Sequence, residues 1–477
     1  RRLKCLEVMD LDRDVLPELK QSARIQATLF SCARKLALYP ENRETLDLCG
    51  YFVEKTAGVL EELIIHANFD AHDAQDHGPP STNGTALDLR AMNDTATGPG
   101  LLCRTVFGHM LPFETCTPFQ HLTSLRLHRV SLRHCAETWC RFVDFTRMQH
   151  LRLYQCLGAD TLLGQLGKAA HLPKQLKLLE FQHKDNAENE ALVALDGLLC
   201  LVSGLRELTI DMENLKALPA AAGIARHGKT LETLNVHGSA ETNVNLMTGT
   251  EAEELVWEPD EFARICKACP RLEQLSCAWP PSSLIRAPTE AWRGYESAIM
   301  GNLRRLITLH ISVFPNNKPS TQLLPKAIYE QLLQCLATRI FDLPLDHPAK
   351  TGAAVGLTST THTAPSSPPD PATPTPNPLR LLAFGIHDKI YEREDSRTQL
   401  LYLRSSALSA LGAPQVHAAP IGWCMRQYVE PRSGVLEFVM ERGTRVPCKE
   451  RDGGGEGGGG GLGGHGGWGS GGEEGDE

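Results

Sequence analysis

The chain has 477 residues, room for two or three ordinary domains or for one extended repeat array. Hydrophobic residues make up 42% and charged residues 22%, and the net charge of −9 is concentrated in residues 451–477, which carry six acids against one arginine. The nearly neutral remainder lacks the basic face that nucleic-acid binding requires, and the longest apolar run, at 191–205, is interrupted by Asp196 and two glycines, which argues against a membrane span.

In chain order, the spacing L-x-x-L-x-L predicts short strands in RLKCLEVMD, ARKLALYP, VLEELIIH, HLTSLRLH, RMQHLRLYQC and QLKLLEFQ. It continues in GLRELTID, TLETLNVHG, RLEQLSCAW, RLITLHISV and LRLLAFGI. The middle position is leucine in all eleven: 6, 36, 63, 125, 151, 179, 208, 234, 275, 309 and 382. Six of the ten steps between them fall between 26 and 30 residues. The step of 62 from Leu63 to Leu125 is two periods carrying a long loop over 67–120.

Between strands lie apolar-faced stretches that predict helices: VLPELKQSARIQATLF, ENRETLDLCGYFVEK, AETWCRFVDF, DEFARICKAC and LLPKAIYEQLLQCLATRIF. In NEALVALDGLLCLVSG, Leu192, Leu195, Leu199 and Val202 share one helical face. A strand followed by a helix, repeated near 28 residues, is the pattern of a leucine-rich repeat. The fold class is therefore α/β, about eleven units stacked as a solenoid over 1–345, with a parallel sheet on the concave face.

The repeat's Asn/Cys ladder position is filled by Asn68 and Cys156 but not by Val130, Lys184, Glu213 or Ser239, so the solenoid is expected to be irregular. GIARHGKT, Gly223 to Thr230, has the spelling of a phosphate-binding loop. That loop needs a strand before it and a helix after it. Here an Ala-rich helical stretch precedes it and the strand at Leu234 follows. The nucleotide-binding reading is thus a remote alternative, with Gly228 expected as a helix C-cap and Lys229 as a solvent-facing turn residue. Cys266 and Cys269 form a lone C-x-x-C without a second pair, more consistent with helix packing than with zinc.

Two segments are not repeat. Residues 346–378, rich in Pro, Thr and Ser, are expected to be a disordered loop, and the glycine-rich acidic tail 451–477 a disordered tail. The last repeat strand and a C-terminal cap occupy 379–450, with a hairpin expected in QYVEPRSGVLEFVM. Fifteen scattered cysteines, an odd number, suit a reduced compartment, cytoplasmic or nuclear.

In L-x-x-L-x-L the leucines face the core, so the intervening and following residues line the concave surface. In the central repeats these are Arg126 and His128, Arg152 and Tyr154, Glu180 and Gln182, Thr209 and Asp211, and Asn235 and His237. They form two ladders, the candidate face for a protein partner. Arg126 beside Arg152 is a like-charge pair that an acidic partner could relieve, and Tyr154 is the best single anchor.

The strand series, with NDTATGPGLLCRTVFGHMLPF and EFQHKDNAENEALVALDG, resembles the leucine-rich-repeat region of fungal F-box/leucine-rich-repeat proteins over 1–345 and 379–386. In that family the F-box docks onto the adaptor of a cullin-type ubiquitin ligase and the repeats select the substrate. The resemblance implies an interaction protein, not an enzyme, with no cofactor and no metal. The F-box itself is not found: the LPEL at 16–19 falls in the helix of the first repeat, so the ligase contact would require an F-box before residue 1. A scaffold unrelated to ubiquitin is the alternative.

Overall fold

Parallel strands joined by crossovers can only close a sheet if each crossover packs its apolar face against it. The structure, a computed structural model, describes residues 4–8, 18, 21, 32–40, 43–67, 98–108, 119–240, 254–315, 325–344, 377–385, 399–408 and 412–422. Thirteen strands form one sheet in sequential order. They are β1 (Cys5–Val8), β2 (Lys35–Leu38), β3 (Glu62–His66), β4 (Ser124–His128), β5 (His150–Tyr154), β6 (Leu178–Lys184) and β7 (Glu207–Leu215). There follow β8 (Thr233–Ala240), β9 (Gln274–Cys277), β10 (Thr308–Ile311), β11 (Leu381–Phe384), β12 (Leu400–Leu408) and β13 (Pro414–Ile421). The first eleven are parallel and the last two antiparallel.

Among the described residues, one α-helix lies in each interval from β2 to β11. They are α1 (Arg43–Thr56), α2 (Leu101–Gly108), α3 (Ala136–Phe142), α4 (Ala159–Leu166), α5 (Glu190–Leu201), α6 (Ala221–Ala225), α7 (Pro259–Ala268), α8 (Glu290–Asn302) and α9 (Lys326–Asp342). The α5 face read from the sequence is the buried one: Leu192, Leu195, Leu199 and the following Val202 are buried, while Val193 on the other side is exposed. Asp185 holds the start of α5, its carboxylate accepting from the N–H groups of Ala191 (3.1 Å) and Leu192 (3.0 Å). Between α7 and α8, Phe262 stacks on Tyr295 with ring centroids 3.8 Å apart, and Trp279 meets Trp292 at 4.7 Å.

The eleven leucines are direct cross-strand partners throughout, from Leu6 opposite Leu36 to Leu309 opposite Leu382. Ten are fully buried in the core shared with the helices; Leu6 is half-buried. Their phase is set by a repeated backbone step at the strand entrances. The carbonyl of Thr123 accepts from the N–H groups of Gln149 (2.8 Å) and His150 (3.0 Å), and that of Gln149 from Lys177 and Leu178. The same step recurs at every junction from Lys4 to Ile307.

Several sequence expectations change. The stretch 67–120, read as a loop, contains α2, whose Leu102, Val106 and Phe107 are buried; Phe107 stacks on Phe142 at 4.4 Å. Asn377, assigned to the loop 346–378, is buried and donates to the Ile340 carbonyl at 3.3 Å, so it packs with the array rather than standing apart from it. A hairpin does end the described sheet, but it is β12–β13; the expected one at 427–440 lies outside the described residues, as do Asn68 and residues 451–477. Gly228 has no left-handed backbone and α6 ends at Ala225 with Arg226 as its cap, so Gly228 is not the C-cap expected. It is glycine for space: a β-carbon there would overlap the Ala268 carbonyl at the end of α7. Among the described residues no helix is long and apolar enough to cross a membrane.

The register column gives a graded test. Leu179→Ala, at a fully buried rung, should lower stability by about 2–5 kcal/mol, and Leu6→Ala, at the half-buried end, by clearly less. Urea melts of the two variants compare them directly; equal losses would mean that the column is not one continuous core.

Candidate binding face

The sheet's two faces are chemically opposite. One carries the leucines and the helices; the other carries the alternate residues of every strand. On that second face Arg126, Arg152, Glu180, Thr209 and Asn235 are successive direct partners, and so are His128, Tyr154, Gln182, Asp211 and His237. The two ladders read from the sequence are thus brought together as continuous rows.

Their exposure divides the face. Arg126, Arg152 and Glu180 are half-buried, as are Glu62, Ile64, His150 and Glu207 beside them. His128, Tyr154, Gln182, Thr209, Asp211, Asn235 and His237 are buried. The reachable part of the face therefore lies over β1 to β7, where Cys5 and Glu7 are exposed and Lys35 is half-buried, and is made mostly of charged side chains. Strands β8 to β10 present polar residues that are fully buried, among them Asn235, Ser276 and His310.

The charges satisfy one another. Arg152 pairs with Glu180 at 3.0 Å, and the Tyr154 hydroxyl donates to the same carboxylate. The Arg126 guanidinium lies over the Tyr154 ring, 5.1 Å from its centroid. The like-charge contact between Arg126 and Arg152 is thereby relieved within the sheet, because the next rung supplies an acid. Tyr154 is only 3% exposed and is committed to these contacts, so it offers a partner far less surface than its size suggests. One strand further, Gln182 donates to Asp211 at 2.9 Å.

The two rows extend beyond the positions singled out from the sequence. Tyr39 and His66 precede His128, with ring centroids 5.9 Å apart and then 3.9 Å, the two histidines meeting edge to face. At the other end His237 Nε2 and Ser276 Oγ are 2.9 Å apart, and Ser276 Oγ and His310 Nδ1 2.7 Å. His310 Nε2 donates to the Gly385 carbonyl at 2.8 Å, which leaves Nδ1 to accept from the Ser276 hydroxyl. These residues were findable: counting the same two columns outward through VLEELIIH, RLEQLSCAW and RLITLHISV reaches His66, Ser276 and His310.

His128 is the most perturbed base on the face. Burial, reinforced by His66, Arg129 and Arg126, pushes it down to about 2 from 6.5. His227, in the turn before β8, is lowered to about 4, mainly by burial. The cysteines are pushed the other way. Burial raises Cys269 to about 12 and lifts Cys266 and Cys277 well above the ordinary thiol value. Among the described residues no group of three or more His, Cys, Asp or Glu is placed to hold a metal.

The phosphate-loop spelling has other work. The chain order is α6, turn, β8, and the Thr230 hydroxyl donates to the Leu205 carbonyl at 2.7 Å. Gly223 lies against Leu199 of α5, and Lys229 is exposed. Compared with known proteins, the chain matches no family model and no curated protein.

Two measurements follow. Lys229→Ala should shift stability by less than about 0.5 kcal/mol and leave nucleotide titrations flat, as for the parent chain; magnesium-dependent ATP binding lost in the variant would restore the phosphate-loop reading. For His128, the unfolded chain takes up a proton near pH 6.5 and the folded one does not until about pH 2, so stability is full above pH 6.5 and falls below it. From this residue alone the loss at pH 5 should be about 2 kcal/mol. Melting His128→Phe at pH 7.5 and pH 5 should show a visibly flatter dependence than the parent chain.

Proposed function

We propose that the chain is a protein-interaction module, the substrate-recruiting leucine-rich-repeat part of an F-box-type ubiquitin-ligase adaptor, with no chemistry of its own. The observation that carries the module reading is that all eleven leucines of the sequence pattern occupy the same rung position in one sheet. Regular stacking of this kind spreads side chains over many short strands without a closed pocket, which suits recognition of a protein surface. The half-buried patch around Arg126, His150, Arg152 and Glu180, bordered by Glu62 and Glu207, is the candidate contact. Its mixed charges fit a polar partner better than an apolar one.

The ubiquitin part of the reading rests on the resemblance to fungal F-box/leucine-rich-repeat proteins. An F-box elsewhere on the native polypeptide would hold the cullin-type adaptor while this chain holds the substrate. All described cysteines are free thiols, which supports a reducing compartment, cytoplasmic or nuclear.

The test uses the full-length native protein, cross-linked and purified from its own cells. The cullin-ligase adaptor subunit should be recovered with it, and its absence would reject the ubiquitin role. In the Arg126→Ser, His150→Ser double variant, recovery of a second, substrate-class protein should fall at least about tenfold, with adaptor recovery and melting temperature unchanged. Unchanged recovery of every partner would remove this face as the binding site.

A further inference from the structure

A cleft of about 760 Å³ opens at the strand-entrance edge of the sheet, away from the ladders, lined by Glu273, Arg305, Ile307, Asn377, Pro378, Arg380, Leu403 and Arg404. Register explains the grouping. Glu273, Ile307 and Arg380 each stand one residue before β9, β10 and β11, and the Arg404 N–H donates to the Arg380 carbonyl at 2.8 Å. Four neighbouring rungs thus converge on one opening. Its wall is fixed: Arg404 donates to the Asn377 carbonyl, and the Asn377 amide oxygen accepts from the Leu379 N–H at 3.0 Å.

Three arginines and one glutamate line the cleft, an excess of two positive charges. Arg305 and Arg380 are exposed, and their side chains make no hydrogen bond or ion pair among the described residues. Two guanidinium forks left open beside a third are a receptor for a planar or tetrahedral oxyanion. The charge excess selects between these: a phosphate monoester, carrying about −1.5 to −2 at neutral pH, balances it, whereas a single carboxylate leaves half of it uncompensated. The cleft has room for an organic ligand as well as for a bare ion. Half-buried Ile307, Pro378 and Leu403 supply an apolar floor, and Glu273 at the far rung favours a hydroxyl donor and repels a second anionic group.

We propose that this cleft binds a phosphorylated, hydroxyl-bearing small molecule, its phosphate held by Arg305 and Arg380 and its organic part lying over Ile307, Pro378 and Leu403. The site is separate from the protein-binding face, and its test involves no partner.

Isothermal titration of the full chain with ribose 5-phosphate, inorganic phosphate and ribose checks each part. Ribose 5-phosphate should bind saturably, inorganic phosphate about tenfold more weakly, and ribose not measurably. The Arg305→Gln, Arg380→Gln double variant should bind ribose 5-phosphate at least about tenfold more weakly with the same melting temperature, both side chains being exposed. Absence of saturable binding to the parent chain, or equal binding by the double variant, would overturn the site. Equal affinity for inorganic phosphate and ribose 5-phosphate would overturn the role of the apolar floor.

Discussion

One backbone interaction, repeated, governs this architecture: the carbonyl at each strand entrance that accepts two consecutive N–H groups from the next strand. It removes the freedom of a strand to slide. A slip of one residue would turn every leucine to the polar face and every charge into the core. The loops between strands vary widely in length, from the short turn around Gly228 to the long excursion before α2. The strand phase does not, because each new strand is registered against its neighbour and not against its own loop.

That locked register explains the chemistry of the polar face as well. Residues of one column are held about 4.8 Å apart whatever their charge. Favourable contacts therefore have to come from the choice of neighbours: Glu180 after Arg152, Asp211 after Gln182, a tyrosine ring under Arg126. Toward β8–β10 the same columns change from half-open charges to buried neutral hydrogen-bonding groups. The chain Ser276–His310–Gly385 is satisfied internally, as buried polar groups must be. A face that is uniform in geometry is thus divided in accessibility: its β1–β7 part is open to contact, while Asn235, Ser276 and His310 of β8–β10 are buried.

The strands and their phase were legible because leucine spacing is a local signal with a long-range echo. The helix faces were legible for the same reason, as Leu195 and Leu199 of α5 illustrate. What escaped notice has physical causes. Helix α2 is eight residues, too short for its period to stand out from a run of apolar residues. Strand β12 begins Leu400, Leu401, Tyr402, Leu403 and shows no alternation, since its first residues are covered on both sides. Gly228 was misassigned because its neighbour, the Ala268 carbonyl, is forty residues away in sequence. The burial of Tyr154 depends on how tightly adjacent rungs pack and cannot be read from any single repeat.

The hairpin that ends the described sheet has its own consequence for assembly. Parallel units add one after another in a single direction, so an unprotected last strand is a template for another chain. Strand β12 runs antiparallel to β11, and β13 carries Pro414 and Pro420. Proline sits in a sheet only where its missing N–H faces away from the neighbouring strand. A further strand laid along the outer side of β13 would meet, at Pro414 and Pro420, two positions with no N–H to donate, which disfavours pairing there.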